Sequence, residues 1–399
     1  MTQPVTTIPR VLVIAPRLEI GGTEMHVTRV LPELRRRGLD VAVFVLARGG
    51  QLDAQLVGKG VKLSGPSGSM PRPFRSLCAV VQLRREMRRL RPDIVHFFLP
   101  EPYLIGSLAS VGMRRVVRIM SRRSLAVYQQ NHAILACIER WLHRFTDVLL
   151  GNSTAVVEEL VAECGDPSKV GLIYNGIDII EPASPAKRLT LRRELGIPDD
   201  AFVLVVSANF IAYKGHGDLF DALARMRDHF TGAWRLLLIG HDQGMGAALR
   251  RKAADLGLSE KVVWVEDCTD ARTPLAAADI AVLPSHQEGF SNSLLEAMAS
   301  GLSVVATRVG GNIDAVVDDE SGLLVPVKDP AALKAAISRL YRDAALRERL
   351  GSAARARVRT RFSLDSCVQR YLDLYTRVIE GNVHLPPLLN DTDTVRTAP

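Results

Sequence analysis

This chain is poor in the residues that build metal and redox centres. It has five cysteines in 399 residues (Cys78, Cys137, Cys164, Cys268 and Cys367), odd in number and without a CxxC pair. That pattern excludes a disulfide framework or a cysteine-based zinc site and fits reduced thiols in a cytosolic protein. Aromatic residues are only 5% of the chain, and no aromatic-and-basic nucleic-acid motif occurs, so nucleic acid is not an expected partner. No apolar run is long enough to cross a bilayer. The opening MTQPVTTIPR has no signal-peptide apolar region, and a cytoplasmic location is expected. The GxGxxG dinucleotide fingerprint is also missing. The net charge of +8 is moderate and points to phosphorylated substrates or anionic lipid as partners.

What the chain does have is length, with 47% hydrophobic and 24% charged residues. At 399 residues two domains are expected. Short Val/Ile/Leu runs alternate with helical patterns. Strands are expected at 11–15, 41–46, 93–98 and 116–120, then within the run Lys169 to Asp178 before a tight Asn-Gly turn, and again at 202–207, 234–239, 261–265, 280–283 and 303–307. The Pro-rich stretch IIEPASPAKR separates the two sets as a linker would. The loop through Gly21-Gly22 leads into a helix with Thr23 as its cap, which ends at Gly38 and should kink at Pro32. Another, from about Phe74 to Leu90, places Val80, Leu83, Met87 and Leu90 on one face, with Arg84, Arg85, Arg88 and Arg89 largely elsewhere. Those arginines form either a solvated face or a surface for anionic lipid.

The most informative stretch is ADIAVLPSHQEGFSNSLLEAMASGLSVVATRVGGNID, Ala278 to Asp314. It reads as strand, loop, helix and strand, and ligands of such βαβ units bind beyond the carboxyl ends of the strands. Gly289, Phe290, Ser291, Asn292 and Ser293 fall where the helix begins. A helix start offers backbone N–H groups and positive dipole to an anion, most naturally a phosphate. Glu288 before the helix and Glu296 within it could accept hydrogen bonds from ligand hydroxyls. Phosphate cradle and hydroxyl acceptors together describe a sugar nucleotide; a capped helix with a surface glutamate is the plainer alternative. Lys214, before Gly215 at another strand-to-helix turn, could meet a diphosphate as a point charge.

The loop, both glutamates, the EAMASGLSVVAT run, Gly310-Gly311, Ser321-Gly322 and the segment KVGLIYNGID together resemble the GT-B glycosyltransferases, in particular the retaining glycosyltransferase family 4, or glycosyl transferases group 1. The resemblance covers nearly the whole chain. It implies an α/β fold of two Rossmann-like domains facing across a cleft. An acceptor-binding domain would span 1–180 and a donor-binding domain 190–362, with a crossover helix at 363–380 packing back on the first and a mobile tail at 381–399. It implies transfer of a sugar from a nucleotide diphosphate sugar to an acceptor hydroxyl with retained configuration, as in polysaccharide or glycolipid synthesis. Lys214 and Glu288 would be catalytic, and Gly21, Gly22, Asn209, Phe290 and the 289–293 loop would hold the donor, with Glu296 on its ribose. The base would lie against the EDCTD loop.

No cofactor or metal is expected, since Asp318-Asp319-Glu320 falls in a turn away from the donor residues. The acceptor would be lipid-linked or a saccharide, met by Glu101, Arg122 and Arg123, with the enzyme peripheral at the inner face of the membrane. Two departures stand out: Ser121 and Arg122 occupy the place of a family histidine, for which His132 is a substitute only if the chain folds back, and Asn209 replaces an arginine. They leave open a non-catalytic sugar-nucleotide-binding protein; a same-fold nucleotide-sugar epimerase is a further alternative. A glycoside hydrolase has no use for a phosphate cradle.

Overall fold

A computed structural model describes residues 8–67, 72–113, 115–130, 132–179, 181–226, 229–266 and 272–383. Arg114, Cys268, most of the EDCTD loop and the tail beyond Val383 lie outside the described residues. The chain divides into two compact units: one runs to Gly176 and resumes at Leu364, the other is Ile177–Ser363.

The first unit contains β1 (Arg10–Ala15), α1 (Gly22–Arg36), β2 (Asp40–Val45), α2 (Asp53–Gly58), β3 (Lys62–Ser64), α3 (Arg72–Leu90), β4 (Ile94–Phe98) and α4 (Pro100–Ala109). It continues with β5 (Val117–Arg122), α5 (Val127–Gln130), α6 (Ala133–His143), β6 (Val148–Gly151), α7 (Thr154–Cys164) and β7 (Val170–Leu172). The strands form one seven-stranded sheet in the order β3-β2-β1-β4-β5-β6-β7, with every pairing parallel. A strand sends alternate side chains to opposite faces. Val11, Val13 and Ala15 of β1 accordingly join one core with Val27 and Leu31 of α1, while Leu12 and Ile14 join another with Leu83 of α3 and Tyr103 of α4. Both faces are covered, so the strands carry apolar residues almost throughout. α1 continues through Pro32.

The second unit contains α8 (Pro185–Glu194), β8 (Phe202–Ser207), α9 (His216–Ala224), β9 (Trp234–Ile239), α10 (Gly246–Asp255), β10 (Val262–Val265) and α11 (Arg272–Leu275). It goes on with β11 (Ile280–Leu283), α12 (Asn292–Ala299), β12 (Ser303–Thr307), α13 (Asn312–Ala315), β13 (Leu323–Val325), α14 (Pro330–Arg342) and α15 (Ala344–Arg361). Its six strands are also parallel, in the order β10-β9-β8-β11-β12-β13. The last helix, α16 (Leu364–Ile379), belongs to the first unit, where Val368, Tyr371, Tyr375 and Val378 enter the core beside α1.

Candidate active site

In the second unit the strand order reverses between β8 and β11, which are paired with Ile280 opposite Leu204. The crevice beyond the carboxyl ends of strands at such a reversal is where open α/β sheets bind ligands. The β8 loop leads to Lys214 and Gly215, the β11 loop to Glu288 and Gly289, and the two loops touch. Gly215 has φ +69°, and a Cβ placed there would lie 1.9 Å from the Pro284 carbonyl oxygen. Only glycine fits both the left-handed backbone and the close approach. One residue earlier, Lys214 Nζ donates to Glu288 Oε1 at 2.6 Å, with the two side chains 16% and 9% exposed. The backbone N–H of His286 donates to Tyr213 O at 2.7 Å, and the His286 ring meets Asp218 Oδ2 at 2.7 Å.

α12 starts four residues after Glu288. Ser291 caps it, accepting from Leu294 N at 3.3 Å, and its hydroxyl lies 3.1 Å from that of Ser293. Gly311 N donates to Gly289 O at 2.9 Å, and a Cβ on Gly311 would meet that oxygen at 2.3 Å, so the Gly310-Gly311 turn clamps the glutamate loop. Phe290 is buried with its ring 5.3 Å from that of Phe362, so its side chain anchors the loop in the core. Glu296 is half-buried one turn into α12. Asn209 Oδ1 accepts from His241 N at 3.2 Å and ties the β8 and β9 loops together. Next to Lys214, His216 is buried. Burial, helped by the lysine's charge, pulls its pKa down to about 4, so the ring is neutral near pH 7.

This arrangement suits an anionic leaving group. A lysine held beside the start of a helix can neutralise charge that develops on a departing oxygen. The Glu288 carboxylate fixes the ammonium in place while remaining an acceptor for hydroxyl groups.

Comparison with known proteins shows the family. Residues 20–181 match the family model described as Glycosyltransferase Family 4, and residues 187–357 the one described as Glycosyl transferases group 1. A protein of Thermomonospora curvata named D-inositol 3-phosphate glycosyltransferase is 30% identical over 403 aligned residues, which cover 90% of this chain and 91% of the relative. The chain belongs to glycosyltransferase family 4. Another relative of this family 4 glycosyltransferase, the putative glycosyltransferase EpsD of Bacillus subtilis, is 26% identical across 80% of this chain and 85% of its own. In fold the glycosyltransferase is similar to Anabaena HepE, solved with UDP and glucose (TM-score 0.82, 22% identity, 92% and 98% of the two chains). It is also similar to WaaG, described as involved in lipopolysaccharide biosynthesis (TM-score 0.74, 18% identity, 93% and 100%). The two α/β units with all-parallel sheets are therefore those of a GT-B glycosyltransferase.

In the first unit of the glycosyltransferase the strand order reverses between β1 and β4. Gly21 and Gly22 begin α1 after β1, and Glu101 lies in the first turn of α4 after β4. Gly21 has an extended backbone, and a Cβ on it would meet only the flexible end of Glu24. Leu99, at the β4–α4 turn, has φ +72°, a left-handed conformation that is unfavourable for a leucine.

The expectation that Arg122 meets the acceptor needs correcting. Its guanidinium is 3% exposed and donates to both oxygens of Glu163, at 2.6 and 2.8 Å, and to Glu139 at 3.2 Å. Tyr128 and Gln129 also donate to Glu139, each at 2.7 Å. An arginine paired so fully is a structural ion-pair centre. Arg123 is also buried, donating to Asn175 Oδ1 with its guanidinium over the Phe98 ring. Ser121 bonds at 2.7 Å to Nε2 of His96, a fully buried residue of the neighbouring strand. His132 is exposed at the start of α6.

Among the described residues no group of three or more His, Cys, Asp or Glu is placed to hold a metal. Asp318 and Asp319 pair with Arg308 and Arg339. Sequence reasoning missed Tyr213, Asp218 and His286. The available signal was their place in the two loops, Asp218 four residues after Lys214 and His286 two before Glu288.

Proposed function

We propose that this glycosyltransferase takes its sugar from a nucleotide diphosphate sugar and passes it to an acceptor hydroxyl with retained configuration. The observation that carries the reading is the Lys214–Glu288 pair at 2.6 Å, at the reversal of strand order and four residues before α12. Lys214 and the N–H groups at the start of α12 take up the charge of the departing diphosphate. Glu288 orients the sugar and Glu296 the ribose. Asn209 supports the Lys214 loop. Charge neutralisation by these groups runs without a metal, so activity survives excess EDTA; complete loss, restored by manganese or magnesium, would overturn that part of the reading.

Donor identity is tested by a thermal-shift screen over nucleoside diphosphates and their sugars, because a ligand that binds only the folded state raises its melting temperature. UDP-glucose is the first to try, given the HepE complex. No shift with any nucleotide would reject the donor assignment.

The acceptor is lipid-linked or a saccharide, in polysaccharide or glycolipid synthesis, with the enzyme peripheral at the inner face of the membrane. No helix among the described residues is long and apolar enough to cross a membrane. Each basic residue near an anionic surface contributes about 1 kcal/mol, so exposed Arg85, Arg88 and Arg115 favour such a location. A phosphorylated cyclitol is a second acceptor to assay, since D-inositol 3-phosphate appears in the name of the Thermomonospora curvata relative.

A further inference from the structure

α6 is inside out. The side chains it buries are Ala136, Glu139 and His143, while Ile134, Ile138, Trp141 and, just past its end, Phe145 are 79%, 43%, 55% and 58% exposed. These four recur every three or four residues, so they form one stripe along the helix. The Trp141 and Phe145 rings stack edge to face at 4.8 Å in the open. The inward face is locked. Glu139 accepts from Arg122, Tyr128 and Gln129, and the His143 ring bonds Tyr103 at 3.1 Å and Glu163 at 3.2 Å. Rolling the helix to hide its apolar stripe would break this buried network, so the stripe stays outward.

The neighbouring helices extend the surface. α6 packs on α4 and α4 on α3. Leu108 at the end of α4 and Phe74 and Leu77 on α3 are each more than 60% exposed. Nine of the fourteen large exposed apolar side chains among the described residues lie on these three helices or within two residues of them. A concentration of this kind marks an interaction surface. Its exposed charges without an ion-pair partner among the described residues are of one sign, Arg140 and Arg144 beside the α6 stripe and Arg85 and Arg88 on α3, while Glu86 on α3 is paired with Arg89. The one acid within α6, Glu139, faces inward. Aromatic and aliphatic side chains edged by arginine match the boundary between anionic headgroups and acyl chains.

We infer that α6, supported by α3 and α4, is the element by which this protein inserts into an anionic bilayer, with Trp141 and Phe145 entering the acyl boundary. This inference rests on the membrane reading above and moves the contact from arginines alone to an apolar stripe.

The test is co-sedimentation with phosphatidylglycerol–phosphatidylcholine vesicles at low and high salt. It uses the full chain, W141S/F145S and R140Q/R144Q, with sedimentation velocity of each protein without lipid. Melting curves check that the variants, all at exposed positions, remain folded. W141S/F145S should weaken binding at least about tenfold at both salt concentrations, because two interfacial aromatics are lost. R140Q/R144Q should weaken it mainly at low salt. Wild-type binding that W141S/F145S leaves intact would overturn the inference while preserving the membrane reading. Absence of wild-type binding would overturn both. A lipid-free dimer that W141S/F145S converts to monomer, without an effect on vesicles, would assign the stripe to a second copy of the chain instead.

Discussion

Lys214 and Glu288 are 74 residues apart in sequence and meet because their strands are neighbours. Lys214→Ala or Glu288→Gln should lower turnover at saturating donor by about a hundredfold or more, the scale of losing one preorganised charge contact. Lys214→Ala also leaves a largely buried carboxylate without its partner, so its melting temperature should fall more than that of Glu288→Gln. Near-wild-type turnover in both would reject the site. Glu296→Ala should raise the donor KM more than it lowers kcat, since a ribose contact changes little between ground and transition states. Gly215→Ala meets both a positive φ and the Pro284 carbonyl, so it should lose stability and activity together; an unchanged melting curve would contradict the contact between the two loops. The glutamate loop was legible in sequence because its residues are contiguous and open a helix. Arg122 was not: the glutamates that bury it come from α6 and α7, and nothing local marks an arginine as enclosed.

α16 is held in the first unit by buried hydrogen bonds as well as by apolar packing. Tyr371 OH meets His26 Nε2 at 3.2 Å, and Tyr375 OH meets His96 Nδ1 at 2.8 Å, with Arg123 and Cys367 close by. Burial, with the Arg123 charge adding to it, pulls His96 down to about 3 and His26 well below its ordinary value. Between the ordinary 6.5 and about 3, therefore, the unfolded state binds protons that the folded state does not. Stability from this packing is complete above about pH 6.5 and falls as the solution is acidified towards 3. Amide exchange within α16, corrected for the intrinsic pH dependence, should be faster at pH 5 than at pH 7.5. His96→Gln should flatten that difference; an identical profile in the variant would remove His96 from the account. The regular elements were readable from sequence where apolar runs are continuous, as in β1, β8 and β11. Three-residue β3 and β13 are too short to show periodicity. α6 was missed for a different reason: its apolar stripe faces solvent, so its pattern does not report the core.

The chain enters the second unit at Ile177 and leaves it at Ser363, and these two residues are bridged, with Ile177 N donating to Phe362 O at 3.1 Å. Arg355 and Glu181, near the same ends, pair at 2.8 Å. A unit whose ends meet and whose sheet is complete should fold alone, and residues 177–363 contain Lys214, Glu288 and all of α12. Expressed by themselves, they should melt cooperatively and be stabilised by the nucleoside diphosphate that stabilises the full chain. The first unit differs because α16 closes its core. Cys367, Val368, Tyr371, Leu374, Tyr375 and Val378 are buried. At roughly 1.5–3 kcal/mol for each large buried side chain, they contribute on the order of 10 kcal/mol, comparable to the whole stability of an ordinary domain. Residues 1–176 without α16 should therefore fail to fold. Because Gly176 and Leu364 flank the bridged pair, a short Gly-Ser linker from Gly176 to Leu364 should restore a folded unit. Circular dichroism and thermal melts of the three proteins decide the matter: a cooperative transition in residues 1–176 alone would show that α16 is dispensable for the core, and a disordered 177–363 would show that the second unit depends on the first.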